Sequence, residues 1–415
     1  MKYSLIDYIA QALKIQPVPA GKTNPSEGIL PWGINNDMPK KIIDTINGSV
    51  TGSACINTVK KYIYGRGVST QADVNKTQTI NALHADLSSQ LSKLRGVSVH
   101  VSYRPDGSIG AIKKIPFESV RLGIPDDNGN ISIVKYNPYY GTADFNQKYT
   151  KAYPLYSPTP EELFKKVESF GGWINFPGEV LYKSVTSEFN PFYPLPEWWG
   201  DNMGNGGGRK WMEIDQLIGN FHSHNINKGF LQNVLLKMIG DPDEPLLAED
   251  QIRKSNGEKY TSVGDDFSKT LTESFSGAKG DKMLILWSAV KDQFPELQAF
   301  PTNTNHELFL ALQKLTTENI LISTQVPPVL AGVKVSGTLS KDDIENSVKL
   351  MWGNVEMDQQ LLEDIYNTLL PRMGVTGEIK IMNFSPVVLS VDPLAWATLT
   401  LDEQRLWVQQ NTELI

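Results

Sequence analysis

The chain has 415 residues, 40% of them apolar, with 39 Lys and Arg against 46 Asp and Glu, so it can build a real core and fill two or three ordinary domains or one segmented subunit. Its formal net charge of −7 argues against a sequence-reading DNA-binding domain, which normally carries a basic face. It does not exclude a surface past which DNA slides, where phosphate repulsion prevents sticking.

The opening MKYSLIDYIAQALKIQPVP carries an amphipathic helical pattern at Ile6, Ile9 and Leu13. It lacks the apolar core and small-residue cleavage site of a signal peptide. A Pro- and Gly-rich break follows from Pro17 to Pro31. Lys40 to Tyr64 reads as one helical stretch with Ile42, Ile43, Ile46, Ile56, Val59 and Ile63 inward, stopped by Gly65 and Gly67. It contains Cys55, the single cysteine, so an intrachain disulfide and a cysteine-rich zinc site are excluded, and a small buried hydrophobe is expected there. Thr77 to Lys93 is a second helix with the stripe Ile80, Leu83, Leu87, Leu91 and Leu94.

From Val97 to about Tyr182 the period shifts toward two. Val97, Val99, Val101 and Tyr103 alternate, Arg104 to Gly107 turns, and further strands are expected at Ile109–Lys113, Val120–Ile124, Ile131–Tyr136 and Gly178–Tyr182. Turn residues between short strands predict an antiparallel β-unit. The aromatic run Phe189 to Trp199 then leads to Gly204-Asn-Gly-Gly-Gly208, read as a flexible hinge. It is no phosphate cradle, because Trp211 stands where a P-loop needs Ser or Thr after Lys210. Trp198 and Trp199, with Phe192 and Tyr193, are expected to anchor a subunit or domain contact.

Trp211 to Lys228 is expected helical, Phe230 to Ile239 strand-like, Ala248 to Phe275 polar and mostly helical, and Lys282 to Val290 a strongly apolar strand. This small α/β insertion is followed by a helix from Thr304 to Ser323, with Leu308, Leu312, Leu315 and Ile320 on one side. The prolines and glycines of Gln325 to Leu339 forbid a continuous helix. A long helix then begins at a capping box of Ser340 and Asp343, with apolar residues at 344, 348, 351, 355, 362, 365 and 369, and Asp358 alone interrupting the series. It spans ~40 Å at about 1.5 Å per residue and ends at Pro371 and Gly374. No segment reaches the ~20 apolar residues that cross a bilayer, so no membrane partner is expected.

Candidate chemistry is sparse. His222 and His224, two apart, point to different helix faces and do not share a metal. The carboxylates of Asp241 to Glu244 and of Asp265-Asp266 are read as solvated. No G-x-S-x-G elbow occurs. No catalytic residue, cofactor or metal is expected.

This order of elements resembles the portal proteins of tailed phages, especially the HK97-like group. The resemblance is carried by GVSVHVSYRPDGSIGAIKKIPFESVRL (Gly96 to Leu122), by NVLLKM (Asn233 to Met238) followed by DKMLILWSAV, by ENILISTQVPPVLAGVKVSGTLSKDDIENSVKLMW (Glu318 to Trp352) and by LTLDEQRLWV (Leu399 to Val408). It covers roughly residues 40 to 410. Gly219 and two histidines in the helix before the insertion depart from the pattern, as does the short stretch after the long helix, which leaves little or no crown.

The resemblance implies an α+β, elongated subunit. Residues 1–208 would be an N-terminal wing, 209–228 and 303–324 two stem helices, 229–302 an α/β clip, 325–342 a tunnel loop, 343–371 a long wing helix and 372–415 a C-terminal wing or reduced crown. It implies a homo-oligomeric ring of about twelve copies at a capsid vertex of the virion, assembled in the host cytoplasm. Double-stranded DNA would pass through it during packaging and ejection. Its partners would be the terminase large subunit, the major capsid protein and a head–tail connector or adaptor protein. Val333, Lys334, Val335, Ser336 and Lys341 would meet DNA at the tunnel. ATP hydrolysis would belong to the terminase, so this chain would be no enzyme. The competing readings are a carbohydrate-active or other hydrolytic enzyme, with the run at Phe189 to Trp199 as a sugar platform, and a virion structural protein without a channel.

Overall fold

A computed structural model describes residues 27–126, 129–185, 192–200, 207–227, 234–245, 262–265, 283–288, 305–333, 341–383, 398–401 and 403–404. The chain divides into two units, Met1–Asp215 with Leu315–Ile415, and Gln216–Lys314. The amphipathic pattern at Ile6 to Leu13, the capping serine Ser340, and most of the polar stretch Ala248 to Phe275 and of 372–415 lie outside the described residues.

The first unit opens with two helices where one was expected, α1 (Met38–Gly48) and α2 (Val50–Tyr64). Ser49 separates them in an extended conformation, and its hydroxyl oxygen accepts from the Gly52 N–H. A serine that offers its oxygen to the next turn favours a cap over a helix interior. The same hydroxyl donates to Asp215 Oδ2 at 2.6 Å, and Thr51 N–H donates to that oxygen at 3.1 Å. A carboxylate therefore sits at the positive end of α2. Gly65, at φ 60°, ends α2 as expected.

A short ribbon, β1 (Asp73–Asn75) and β2 (Gln78–Thr79), precedes α3 (Ile80–Leu94), whose cap is Thr79. The stripe Ile80, Leu83, Leu87, Leu91 and Leu94 is buried throughout, each residue contributing about 1.5–3 kcal/mol of burial. Arg95 terminates α3 in the left-handed region.

The expected β-unit is two separate three-stranded antiparallel sheets. In one, β3 (Gly96–Tyr103) lies between β4 (Ile109–Lys114) and β8 (Glu179–Ser184). In the other, β6 (Ile133–Tyr136) lies between β5 (Val120–Leu122) and β7 (Lys151–Pro154). Val97, Val99 and Val101 are fully buried. Helix α4 (Pro160–Ser169) interrupts the strands with its own signals: Thr159 as cap, Pro160 at the first position, Glu161 and Glu162 in the first turn.

In chain order α5 (Gly207–Asn227), β9 (Val234–Ile239), β10 (Met283–Ser288) and α6 (Asn305–Thr324) follow. The division between the units falls within α5 and α6. In the second unit β9 and β10 pair in parallel, Val234 opposite Met283 and Ile239 opposite Ser288. On α6 the expected stripe is met in part, Ile320 being buried and Leu312 half-buried. Thr316, Ile320 and Leu321 are buried, whereas Leu315 is 48% exposed.

The long helix α7 (Lys341–Leu369) packs on α2 and α3. Val348, Met351, Val355, Leu362, Ile365 and Leu369 are buried and Ile344 half-buried, as their spacing predicts. Between α3 and α7, buried His84 lies 2.9 Å from the Tyr64 carbonyl through Nε2 and 2.8 Å from the Tyr366 hydroxyl through Nδ1. A carbonyl only accepts, so Nε2 carries the proton and Nδ1 accepts from Tyr366. Past α7, Pro371 and Gly374 turn the chain. Arg372 there donates to the Tyr156 hydroxyl at 2.8 Å, tying the end of α7 to the β-sheets. The fold is α+β. Among the described residues no helix is long and apolar enough to cross a membrane.

Candidate channel segment and the junction that holds it

The segment after α6 begins where Gln325 takes a left-handed conformation, φ 55°. Gln325 N–H donates to the Ile322 carbonyl and Val326 N–H to the Leu321 carbonyl, both at 3.2 Å, which closes the helix end. The prolines then build a compact turn. The Pro327 carbonyl accepts from Leu330 N–H and Ala331 N–H, and the Pro328 carbonyl accepts from Val333 N–H at 3.0 Å. Val326 is buried, and Leu330, Ala331 and Val333 pack against the core.

Two helices hold this turn from opposite sides of the sequence. Thr58 of α2 places its hydroxyl 3.3 Å from the Leu330 carbonyl, and Asn354 of α7 donates to the Gln325 carbonyl at 2.9 Å. Cys55, buried as expected, lies beside the Thr324 hydroxyl; burial pushes its thiol up, and the hydroxyl contact opposes this. The first half of the expected tunnel loop, residues 325–333, is thus a pinned turn.

Of the five residues expected at the tunnel, Val333 is half-buried at the end of that turn. Lys334, Val335 and Ser336 lie outside the described residues. Lys341 is exposed at the first position of α7, with its ammonium 3.4 Å from Glu345 Oε1. Asp342 and Asp343 follow it, so this end of α7 is acidic. Val333 and Lys341 flank residues 334–340, which lie outside the described residues.

A small cavity of about 90 Å³ lies under the junction, lined by Arg95, Trp198, Thr324, Gln325, Asn354 and Asp358 among others. Asp358 is the residue that interrupts the apolar stripe of α7, and it is 2% exposed. Arg95 donates from one guanidinium nitrogen to both of its oxygens, at 2.6 and 2.5 Å, and approaches Glu197 at 3.5 Å. Burial raises the Asp358 pKa, and the neighbouring guanidinium works against that rise. Sequence reasoning missed this pair although its signal was visible: a charge inside a buried stripe needs a partner.

Other expectations need correction here. Trp198, Trp199 and Tyr193 are buried in the chain's own core and so are not a subunit anchor. Tyr193 stacks on Trp32 at 4.8 Å and donates to the Leu30 carbonyl at 2.5 Å. Gly207 and Gly208, the described part of the expected hinge, begin α5 instead. A Cβ on Gly208 would lie 2.1 Å from Ser323 Oγ, so that glycine permits α5 to approach α6. Arg209 pairs with Glu213 and covers the Trp199 ring. His222, Asp241, Asp243 and Glu244 are exposed, and among the described residues no group of His, Cys, Asp and Glu could hold a metal.

No family model matches the chain, and no curated protein matches it. Among solved structures, it is similar to a chain of the virion of a native gene transfer agent particle, with a TM-score of 0.50 and 10% identity, over 89% of this chain and 88% of that one. The likeness is one of fold. Two further chains are similar at lower scores. One is from the neck of an empty gene transfer agent particle computed with C6 symmetry (TM-score 0.49, 11% identity, 89% and 93% covered). The other is from the neck of a native particle computed with C12 symmetry (0.48, 12%, 97% and 97%).

Proposed function

We propose that the chain is a portal-type structural subunit of a tailed virus-like particle, of the HK97-like kind, that assembles into a closed ring at a capsid vertex and conducts double-stranded DNA. One observation carries the reading: the succession of α6, the pinned turn 325–333 and the 29-residue α7, set in a fold like that of a gene transfer agent virion chain. In this reading α5 and α6 are the stem, β9 and β10 belong to the clip, residues 325–342 are the tunnel loop and α7 is the wing helix.

The physical chemistry agrees with transport. A channel must touch phosphates weakly and without reading bases, because firm binding stalls movement. An acidic chain offering Lys334, and Lys341 already shared with Glu345, meets that condition. The terminase large subunit and later a head–tail connector would dock on the clip, with the major capsid protein around the wing. The ring would reside in the virion after assembly in the host cytoplasm. Catalysis would lie in the motor, not in this chain.

The channel role is tested by exchanging Gly332 to Gly337 for a rigid proline-containing sequence. Rings should still form while DNA packaging falls. Lost rings with normal packaging by residual particles would contradict the role.

A further inference from the structure

A groove of about 670 Å³ lies between residues 27–37 and residues 141–145, a size typical of ligand sites. Its lining joins apolar Ile29, Pro31, Ile34 and Phe145 to the carboxylates of Glu27 and Asp37. The walls are preformed. Asn36, at φ 58°, accepts from the Trp32 N–H at 3.0 Å and from Arg121 Nε through its side-chain oxygen. Its carbonyl accepts from Arg121 Nη2 at 2.9 Å. Arg121 is itself buried between the rings of Trp32 and Tyr140, 5.6 and 4.9 Å away. On the opposite wall a Cβ on Gly141 would lie 2.9 Å from Asp37 Cα. Ile34 stands 79% exposed on the rim, beside the apolar part of the lining.

We propose that this groove seats the chain's own N-terminal arm, residues 2–14. The described chain starts at Glu27, itself a lining residue, so the arm departs from the groove's edge. The 13 residues from Lys14 to Ser26 reach up to roughly 43 Å when extended, which permits return. A tether this short gives an effective concentration on the order of millimolar. By their spacing Ile6, Ile9 and Leu13 would share one face of a helix, matching the groove's apolar part. Charge matches too: residues 2–14 hold Lys2 and Lys14 against Asp7 alone, in a chain of net charge −7. They would face Glu27 and Asp37, the latter also paired with Lys41 at 2.9 Å. This assignment concerns a contact within one chain and stands apart from the ring reading.

Disulfide trapping in the full chain tests it. Ile34→Cys is combined in turn with Ile6→Cys, Ile9→Cys and Leu13→Cys; buried Cys55, its thiol pushed up by burial, stays unreactive. The control replaces Ile34→Cys with Ile174→Cys, at a position 99% exposed between α4 and β8. At least one arm position should close an intrachain disulfide with position 34 roughly tenfold faster than with position 174. Equal rates at all three arm positions, or a product that links two copies, would overturn the proposal.

Discussion

Arg95 and Asp358 stand 263 positions apart in the chain, yet the residue that ends α3 neutralises the charge in the middle of α7. The pair fixes the rotation of α7 about its axis, because Asp358 occupies a place in the stripe that would otherwise be apolar. It also lies one turn from Asn354, which holds the start of the candidate channel segment.

Removing one partner leaves the other buried without compensation. Arg95→Ala should therefore destabilise the fold by about 3–5 kcal/mol, while Arg95→Met combined with Asp358→Leu should recover most of the loss. Urea unfolding of the four proteins gives the coupling. Additive small losses, under about 1 kcal/mol each, would mean that the pair is incidental.

His84 makes stability depend on pH. Burial pulls its pKa down from 6.5 to about 4, against the opposing contact with the Tyr64 carbonyl. Between those values the unfolded chain takes up a proton that the folded chain refuses. The contribution is therefore whole above pH 6.5 and is lost as pH falls toward 4, at about 1.4 kcal/mol per pH unit. Denaturation midpoints at pH 7 and pH 4.5 should differ less in His84→Gln than in the parent protein. Equal differences would show that His84 is not the group responsible.

The two faces of α7 should respond oppositely to one substitution. Val355 is fully buried and Met357 is 73% exposed. Val355→Asp places an unpaired charge in the core and should cost at least about 3 kcal/mol or abolish folding. Met357→Asp should stay within about 0.5 kcal/mol. Thermal melting distinguishes them, and similar losses in both would show that the assigned faces are wrong.

Much of the fold was legible because some elements satisfy local and global preference together. The stripes of α3 and α7 follow helical spacing, and Gly65 and Gly374 stop their segments through positive φ. Legibility failed where one residue decides between neighbours. Ser49 breaks α1 from α2 by capping, and Pro160 to Ser169 hides a helix among strands. The two sheets could not be told apart, because alternation reports a buried face but not which strand pairs with which. On α6 apolar residues occur around most of the helix, so spacing found Ile320 but not Thr316 and Leu321, and it placed exposed Leu315 inward. The aromatic run at Trp198 looked like a contact surface, since the same rings serve a core equally well. The groove at Asn36 left no mark in the sequence, because its walls come from loops joined through Arg121.

The proposed closure of many copies into a ring around one axis is tested most directly by the mass of the assembled protein. Native mass spectrometry with negative-stain imaging should give a particle of about twelve 46.2 kDa subunits with a central hole. A 46.2 kDa monomer under every condition, with no annular particle, would contradict it.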